Sequence, residues 1–272
     1  MPETLNSAGL ILGRRPYQES SSLITVYTRC CGKLTLIARG ARKPHSKLAG
    51  HIEPLTLADL MIVKGRSRNY IGSSLTRRAY PNIRGDLNRL YYAGKAVALV
   101  KHLVADSKPD QELFVLLSNW LDCLDEDFLV KSSWPLKSVD SAPDLSRDNG
   151  EIILAFFIFK FFNTLGYSSD WSRCSVCDRK IDAQQVNYFD PAGALVCADC
   201  QQKRIAPRDH RPNFYSQESD YKPVLRQLSN NGLKLLKFIT DHNWQALKRL
   251  RMNRVQAQEI VRLASDFLRY YS

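Results

Sequence analysis

Four cysteines in two closely spaced pairs constrain this sequence more than any other feature. Two residues separate Cys174 from Cys177, two separate Cys197 from Cys200, and 19 residues lie between the pairs. With seven cysteines in 272 residues, random placement gives only about 0.2 pairs of this spacing, so two pairs indicate a selected arrangement. Four thiolates complete the tetrahedral shell that zinc prefers. The sequence therefore predicts one Zn²⁺ ion bound by Cys174, Cys177, Cys197 and Cys200.

This zinc site is expected to be structural. Four thiolates fill the coordination sphere and leave no position for a water molecule or a substrate. Between the pairs, residues 186–196 have the pattern of a strand, a turn and a second strand, as in a zinc ribbon. Metal binding would contribute folding free energy on the order of 10 kcal/mol to such a small element. A redox dithiol switch is the alternative for the same cysteines.

The apolar runs and the N-terminus indicate a reducing, cytoplasmic compartment, in which the seven cysteines are expected to be thiols, thiolates or metal ligands. Cys30 and Cys31 lie in a predicted turn, and they receive no role because neighbouring residues rarely bind one metal together. Cys123 lies in a predicted helix and is expected to contribute to packing. The longest apolar run, Ile152–Phe159, is far shorter than the roughly 18 residues of a membrane span. The N-terminus lacks the basic and apolar regions of a secretion signal. We expect a cytoplasmic protein without a membrane partner.

Charge is distributed unevenly along the chain. The net charge of +12 divides into +9 over residues 1–80, −5 over residues 81–200 and +8 over residues 201–272. Such basic ends attract polyanions and indicate a nucleic-acid partner. The alternative is that these lysines and arginines only keep the protein soluble.

The first 80 residues predict short strands separated by turns. In Lys33–Arg39, alternation places Leu34, Leu36 and Ala38 on one face, and Gly32 suits the turn before it. About five strands over this length fit a small closed barrel, either an oligonucleotide-binding (OB) barrel or an SH3-like one. The predicted strands are Ala8–Arg14, Leu23–Arg29, Lys33–Arg39, Ile52–Val63 and Asn69–Leu75.

Helical spacing replaces this pattern from Asp86 onward. The predicted helices are Leu87–Val104 with an apolar stripe at Leu87, Leu90, Tyr91, Gly94, Val97 and Ala98, a second from Asp110 through Leu121, Glu151–Leu165, Tyr221–His242 and Arg254–Tyr271. Residues 131–150 and 206–215 read as loop and coil. The sequence thus predicts an α+β multidomain chain: a barrel at 1–80, the first part of a helical domain at 81–170, a zinc-ribbon insertion at 171–205 and the C-terminal helical part at 206–272.

Motifs of catalysis are missing from the sequence. No phosphate loop, dinucleotide fingerprint, nucleophile elbow or zinc-protease helix is present, and the five histidines have no carboxylate at acid–base spacing. The acidic cluster Asp122, Asp125, Glu126 and Asp127 reads as a solvated helix end and not as a two-metal site. We expect a binding protein and not an enzyme.

Basic and aromatic residues of the barrel region have the composition of a single-strand groove. In such grooves cations contact phosphates and rings stack on bases, at about 1–3 kcal/mol per stacked base. The candidate nucleic-acid-binding residues are Arg14, Arg15, Tyr17, Lys33, Arg39, Arg42, Lys43 and Lys47.

Part of this region resembles the N-terminal signature of the RecO family of bacterial recombination mediators. The resemblance rests on residues 15–19 (RPYQE), Leu23, Thr28, residues 32–34 (GKL), residues 39–43 (RGARK), Ser46 and Leu48. The order of parts agrees as well, because RecO-like chains contain an OB barrel and a helical domain with, in many members, an inserted four-cysteine zinc element.

The resemblance implies a non-catalytic DNA repair factor. Such a protein would bind single- and double-stranded DNA, anneal complementary strands coated by single-strand binding protein (SSB), and with RecR help to load RecA at gaps in the bacterial nucleoid. The acidic SSB C-terminal tail would need basic and apolar groups together, for which the basic residues of 222–254 are candidates. A zinc-ribbon transcription or RNA-processing factor, and a nuclease or ligase subunit, are the rival interpretations.

Overall fold

The computed structural model describes residues 3–126, 149–167, 170–182, 184–203, 225–247 and 249–271. The chain forms two compact units, Met1–Asp127 and Phe128–Ser272. The first unit contains a β-sheet followed by helices, and the second combines helices with a small sheet. The predicted α+β class is confirmed. The predicted loop at 131–150 falls almost entirely outside the described residues, as does the coil at 206–215.

Five strands of the first unit close a barrel in the order β1-β2-β3-β5-β4. Neighbouring strands are antiparallel except β3 and β5, which are parallel where Ile37 faces Tyr70. A bulge between Ile11 and Gly13 bends β1, so that this one strand pairs with both β2 and β4. The strands are β1 Thr4–Tyr17, β2 Ser21–Thr28, β3 Gly32–Ala38, β4 Leu57–Val63 and β5 Tyr70–Arg78.

Every predicted strand differs from the observed one at one end or at both, and the differences are largest for the first and the fourth. The first strand extends beyond Ala8–Arg14 at both ends. The fourth strand begins at Leu57 and not at Ile52, because a 3₁₀ turn at Ala49–His51 and a left-handed Leu55 at φ 58° precede it.

Alternation along the strands divides the barrel into an inner and an outer face. Leu36 and Ala38 lie in the interior with Leu34 packed against them, as predicted, and Ile24 and Val26 of β2 join them. The residues that alternate with these along the same strands lie on the outer face.

Three helices follow the barrel in the first unit: α1 Pro81–Gly85, α2 Leu87–Leu103 and α3 Gln111–Asp125. Asp86 caps α2 by accepting hydrogen bonds from the amides of Asn88 and Arg89, and Asp110 caps α3 in the same way through Leu113. Both predicted helices are therefore confirmed.

The predicted apolar stripe of α2 is wrong: of its six positions only Val97 is buried, and Gly94 and Ala98 are exposed. Leu87, Leu90 and Tyr91 are exposed, whereas Ala93, Ala96, Val97 and Val100 form the buried face. Small alanines let this helix approach its neighbours closely, so the largest apolar side chains do not mark the packed side.

The second unit is built around the apolar helix α4, Asn149–Thr164. Its phenylalanines are buried, and Phe162 stacks on Phe267 with ring centroids 4.3 Å apart. Gly166, at φ 78°, ends the helix as predicted, because its amide and that of Tyr167 bond back to the last helical turn. The other elements are β6 Asn187–Asp190, β7 Ala194–Cys197, α5 Ala198–Gln202, β8 Arg226–Leu228, α6 Asn230–Asp241, α7 Trp244–Leu247 and α8 Arg254–Tyr271.

The helix predicted over Tyr221–His242 is wrong in its first part. Residues 221–224 lie outside the described residues, and Arg226–Leu228 forms a strand that pairs with β6. Ser229 then caps α6 by accepting the amide hydrogen bond of Gly232. The last helix, α8, has the predicted bounds.

Candidate metal centre and nucleic-acid interface

The first cysteine pair lies in a tight loop closed by backbone hydrogen bonds. The amide of Cys174 donates to the carbonyl of Arg179, and the amide of Asp178 donates to the carbonyl of Cys174, both at 2.9 Å. A further bond from the amide of Ser175 to the carbonyl of Leu195 ties this loop to β7. The loop therefore directs Cys174 and Cys177 toward the second pair.

The second cysteine pair lies where β7 meets α5. Cys197 ends the strand and precedes α5, and Cys200 lies one turn into that helix. An ion pair of 3.0 Å between Arg179 and Asp199 links the two cysteine loops. Strand, turn and strand between the pairs are confirmed, since β6 and β7 form a hairpin.

The four sulfurs meet the geometric requirement of one metal ion. All four Sγ atoms lie within 4.8 Å of one another, and Sγ of Cys177 is 3.8 Å from Sγ of Cys197. Tetrahedral zinc with Zn–S bonds of about 2.3 Å requires sulfurs roughly 3.8 Å apart. The amide of Cys197 donates to Sγ of Cys174 at 3.4 Å, which links the two cysteine pairs directly. These cysteines can hold a metal ion.

Local groups shift the pKa values of these thiols in opposite directions. The pKa of Cys177 is lowered to about 6, first by the hydrogen bond from the Arg179 backbone. Burial raises the pKa of Cys200 and of Cys197. A thiol must lose its proton to bind a metal, so metal binding at this cluster releases protons and strengthens as the pH rises.

The β6–β7 hairpin between the two cysteine pairs shares its core with the helices of the second unit. Phe189 of β6 is fully buried, stacks on Trp171 and makes edge contacts with Phe159 of α4 and Phe267 of α8. The hydroxyl of Tyr271 donates to the carbonyl of Ala192 at 2.9 Å.

An ion pair that the sequence does not predict joins the small sheet to the last helix. Nε of Arg226 in β8 lies 2.8 Å from a carboxylate oxygen of Asp266, whose side chain is 5% exposed. A charged residue within an amphipathic helix is the only sequence signal for such a pair, and it does not reveal the partner.

On the barrel, one row of residues crosses four strands of the outer face. Arg15 of β1 faces Leu23 of β2, Leu23 faces Ile37 of β3, and Ile37 faces Tyr70 of β5. Arg39, one pleat beyond Ile37, places its guanidinium 3.8 Å from the centre of the Tyr70 ring. This row, with Arg39, is called the outer row below.

A cleft of about 410 Å³ opens beside the outer row. Its walls come from β1, β3, the loop between β4 and β5, and the connection between α2 and α3, and its lining residues are Arg15, Lys33, Leu34, Thr35, Gly65, Arg66, Ser67, Arg68, Asn69, Asp106 and Ser107. Arg68 also lies over the ring of Tyr17, 5.6 Å from its centre. The cleft therefore combines cations with an adjacent aromatic ring.

Arg66 and Arg68 were not among the candidate residues from the sequence. Both are exposed and belong to the loop between β4 and β5. The signal that could have found them is the cluster Lys64, Arg66 and Arg68 within five residues, because loops that connect barrel strands carry ligand contacts.

Two predicted DNA contacts have partners within the protein. Arg14 forms an ion pair with Glu53 and donates to the carbonyls of Ala41 and Ala49, so it holds the 40–50 loop against the barrel. Nζ of Lys33 donates to the carbonyl of Lys101 at 2.7 Å and lies 3.2 Å from Asp106. Their role in phosphate binding stays a prediction.

Three other predicted cations lie on the 40–50 loop. Arg42, Lys43 and Lys47 are exposed, and none of them forms an ion pair with a residue in the described part of the chain. Consecutive backbone turns order this loop, and the amide of Arg42 donates to the carbonyl of Ser20 between β1 and β2.

The acidic cluster at the end of α3 is structural where it is described. Asp122 forms an ion pair with Arg78, and a carboxylate oxygen of Asp125 accepts the amide hydrogen bond of Ile83 in α1. Asp127 lies outside the described residues. Among the described residues, the four cysteines are the one group of three or more metal-binding side chains that come together.

Together the two units define a class: an α+β protein with a small basic barrel and a helical unit that contains a four-cysteine cluster able to hold a metal ion. Residues 1–78 match the family described as "Recombination protein O N terminal", and residues 136–272 match the family described as "Recombination protein O C terminal". The chain belongs to the RecO family of DNA repair proteins.

Curated relatives named "DNA repair protein RecO" agree with this membership. The protein of Desulforamulus reducens is 25% identical over 96% of this chain and 87% of its own length. The protein of Moorella thermoacetica is 26% identical over 100% of this chain and 87% of its own length. That of Syntrophus aciditrophicus is 30% identical over 75% of this chain and 72% of its own length.

No described helix is both long enough and apolar enough to cross a membrane.

Proposed function

We propose that this protein is a non-enzymatic recombination mediator that binds single- and double-stranded DNA through its barrel. It anneals complementary SSB-coated strands and, with RecR, promotes RecA loading at gaps in the bacterial cytoplasm. The observation that carries the proposal is the outer row with its cleft, where exposed cations and tyrosine rings lie on one face of a closed barrel.

The strand order supports an OB fold and not an SH3-like barrel. OB barrels bind oligonucleotides on the face of strands 2 and 3 and with the loops between strands 1 and 2 and strands 4 and 5. Here the loop that Arg42 contacts and the loop with Arg66 and Arg68 take these loop positions, whereas Leu23 and Ile37 on the face of β2 and β3 are buried.

The chemistry of this face favours binding without sequence preference. Arg15, Arg66 and Arg68 would contact phosphates in the cleft, and Arg42, Lys43 and Lys47 would contact them along the 40–50 loop. Tyr17 and Tyr70 supply rings for stacking on any base. Lys33 and Arg14 keep these elements in place through their internal partners.

Two further parts of the proposal concern partners and the metal. The acidic SSB tail would bind the basic residues of 222–254, of which Arg226, Lys234, Lys237, Arg249, Arg251 and Arg254 are described. The ion at the four cysteines would be one structural Zn²⁺, because its preferred ligand set and sulfur spacing fit the cluster.

Annealing of SSB-coated complementary oligonucleotides tests the proposal. Wild type should accelerate annealing, whereas a variant with Arg39, Arg42 and Lys43 changed to alanine should be impaired. A control with Arg77, Lys95 and Lys180 changed to alanine loses the same charge outside the outer row and should behave as wild type. Wild type without acceleration would refute the mediator role, and an unimpaired first variant would refute the assigned surface.

A further inference from the structure

Two thiols outside the metal centre touch each other at the tip of the hairpin between β2 and β3. Sγ of Cys30 lies 2.9 Å from Sγ of Cys31. Cys30 is exposed and Cys31 is half-buried, so reagents in solution reach the pair. Neither belongs to the four-cysteine cluster.

The hairpin tip is held in this conformation by its neighbours. The buried hydroxyl of Thr28 accepts a hydrogen bond from the amide of Cys31 at 3.2 Å and donates one to the carbonyl of Gly32 at 2.9 Å. Gly32 has φ 68°, and a Cβ atom there would overlap the carbonyl of Lys108. The two thiols are therefore presented together before any ligand arrives, which reduces the entropy lost on binding.

Bridging by a third atom suits this pair better than a direct disulfide. Consecutive Cα atoms are about 3.8 Å apart across a trans peptide, below the roughly 4.4–6.8 Å range of disulfides. Burial, the larger cause, and the hydrogen bond with Cys30 together raise the pKa of Cys31 to about 11. The Cys31 thiol is therefore protonated near neutral pH. A protonated thiol is a poor nucleophile toward peroxide.

We propose that Cys30 and Cys31 form a dithiol site for a soft, thiophilic electrophile that takes two sulfurs, the chemistry of trivalent arsenic. Both sulfurs bind the arsenic of an arsenoxide, and its oxygen leaves as water with the two thiol protons. Two As–S bonds replace the bonds from arsenic to oxygen, and no atom changes oxidation state. Soft thiolate ligands select soft centres of this kind.

The dithiol site adjoins the wall of the cleft. Lys33, two residues after Cys31, lines the cleft and pairs with Asp106, and its carbonyl accepts the amide hydrogen bond of Ser107. An adduct at the tip should therefore disturb the cleft and lower DNA affinity about threefold or more. The loss of DNA affinity rests on the proposed function, whereas formation of the adduct does not.

Phenylarsine oxide at one equivalent, added to the reduced, zinc-loaded protein, tests the site. Intact-mass measurement and peptide mapping should show one adduct across Cys30 and Cys31 in wild type and none there in Cys30→Ser or Cys31→Ser. Iodoacetamide, which needs one thiol, should still label Cys30 in Cys31→Ser and so show that the remaining thiol is accessible. Absence of the wild-type adduct, or equal uptake by either serine variant, overturns the proposal.

DNA affinity measured on the same samples separates the two claims. An adduct that weakens DNA binding in wild type, with Cys31→Ser unaffected by the reagent, supports the coupling to the cleft. An adduct without any change in affinity overturns the coupling. If the untreated protein binds no DNA, the proposed function fails while the mass result still decides the dithiol site.

Discussion

At the scale of single residues, neighbouring arginines on β1 have different environments. Arg14 points toward the 40–50 loop, where Glu53 and two backbone carbonyls engage its guanidinium. Arg15 is exposed and lines the cleft. Because side chains alternate along a strand, one arginine holds the 40–50 loop and the next faces the cleft. Sequence composition alone treats the two as equivalent.

Alanine substitution should separate these roles. Arg14→Ala should lower the free energy of unfolding by about 1–3 kcal/mol, because it leaves a carboxylate and carbonyls without their donor. Arg15→Ala should leave stability unchanged and reduce the salt slope of single-strand binding by about 0.7, the value for one phosphate contact. Urea unfolding and fluorescence anisotropy across salt concentrations measure the two effects. Equal stability of both variants would contradict the structural role of Arg14.

A second residue-scale prediction concerns the turn between β6 and β7. Gly193 has φ 89°, and a Cβ atom there would lie 2.5 Å from the carbonyl of Tyr167 and 3.0 Å from the Phe267 ring. Gly193→Ala should therefore destabilise the second unit by about 1–3 kcal/mol. Gly94→Ala is the matched control, because nothing lies within 4 Å of its Cβ position on α2 and alanine favours a helix. Thermal unfolding should show a loss for the first variant and a small gain for the second.

At the scale of elements, the sequence predicted those helices and strands that local interactions stabilise. The helices α2, α3 and α8 follow from capping residues and apolar spacing, and the β6–β7 hairpin follows from its turn. Strand β8 has three residues and pairs with β6, about forty positions earlier in the chain. Such a strand has too few residues for a period, and its pairing depends on tertiary structure. The buried face of α2 was predicted wrongly for a related reason, because packing against its neighbours selected small alanines there.

The cysteine motif predicted the metal cluster but not its attachment to the helices. The sequence suggested a self-contained insertion, whereas Phe189 and Trp171 belong to the same aromatic core as α4 and α8. Strand β8 and the pair Arg226–Asp266 add a second link to α8. Ring contacts between distant segments leave no mark on sequence spacing. The hairpin that carries the second cysteine pair is thus part of the core of the second unit.

Removal of the metal ion should therefore unfold α4 and α8 as well as the hairpin of β6 and β7. A structural zinc ion contributes on the order of 10 kcal/mol, which exceeds the margin of many small domains. Chelation, or Cys200→Ser, should remove hydrogen-exchange protection from α4 and α8 as well as from β6 and β7. Strands β2 and β3 of the first unit serve as the internal control and should keep their protection. Loss confined to residues 170–203 would contradict the shared core.

At the scale of the whole molecule, the uneven charge predicts that the barrel region binds a polyanion, and the barrel topology shows which of its basic residues lie together. Parallel pairing of β3 with β5 brings the loop with Arg66 and Arg68 beside Arg15, about fifty positions earlier. The sequence showed both basic clusters but could not place them on one face, because strand order is a tertiary property. The predicted 40–50 loop and the cleft thus become two basic parts of one barrel surface.

If the cleft contacts DNA, its two arginines should determine part of the salt dependence. Arg66→Ala with Arg68→Ala should weaken single-strand binding and reduce the slope of log K against log salt by about 1.4, since each lost phosphate contact contributes about 0.7. Arg77→Ala with Lys95→Ala removes the same charge from exposed positions outside the cleft and should leave the slope near the wild-type value. Titration of a fluorescent oligonucleotide at several salt concentrations measures both. If the two double variants lose affinity equally, the effect is one of net charge, and the cleft is not the binding site.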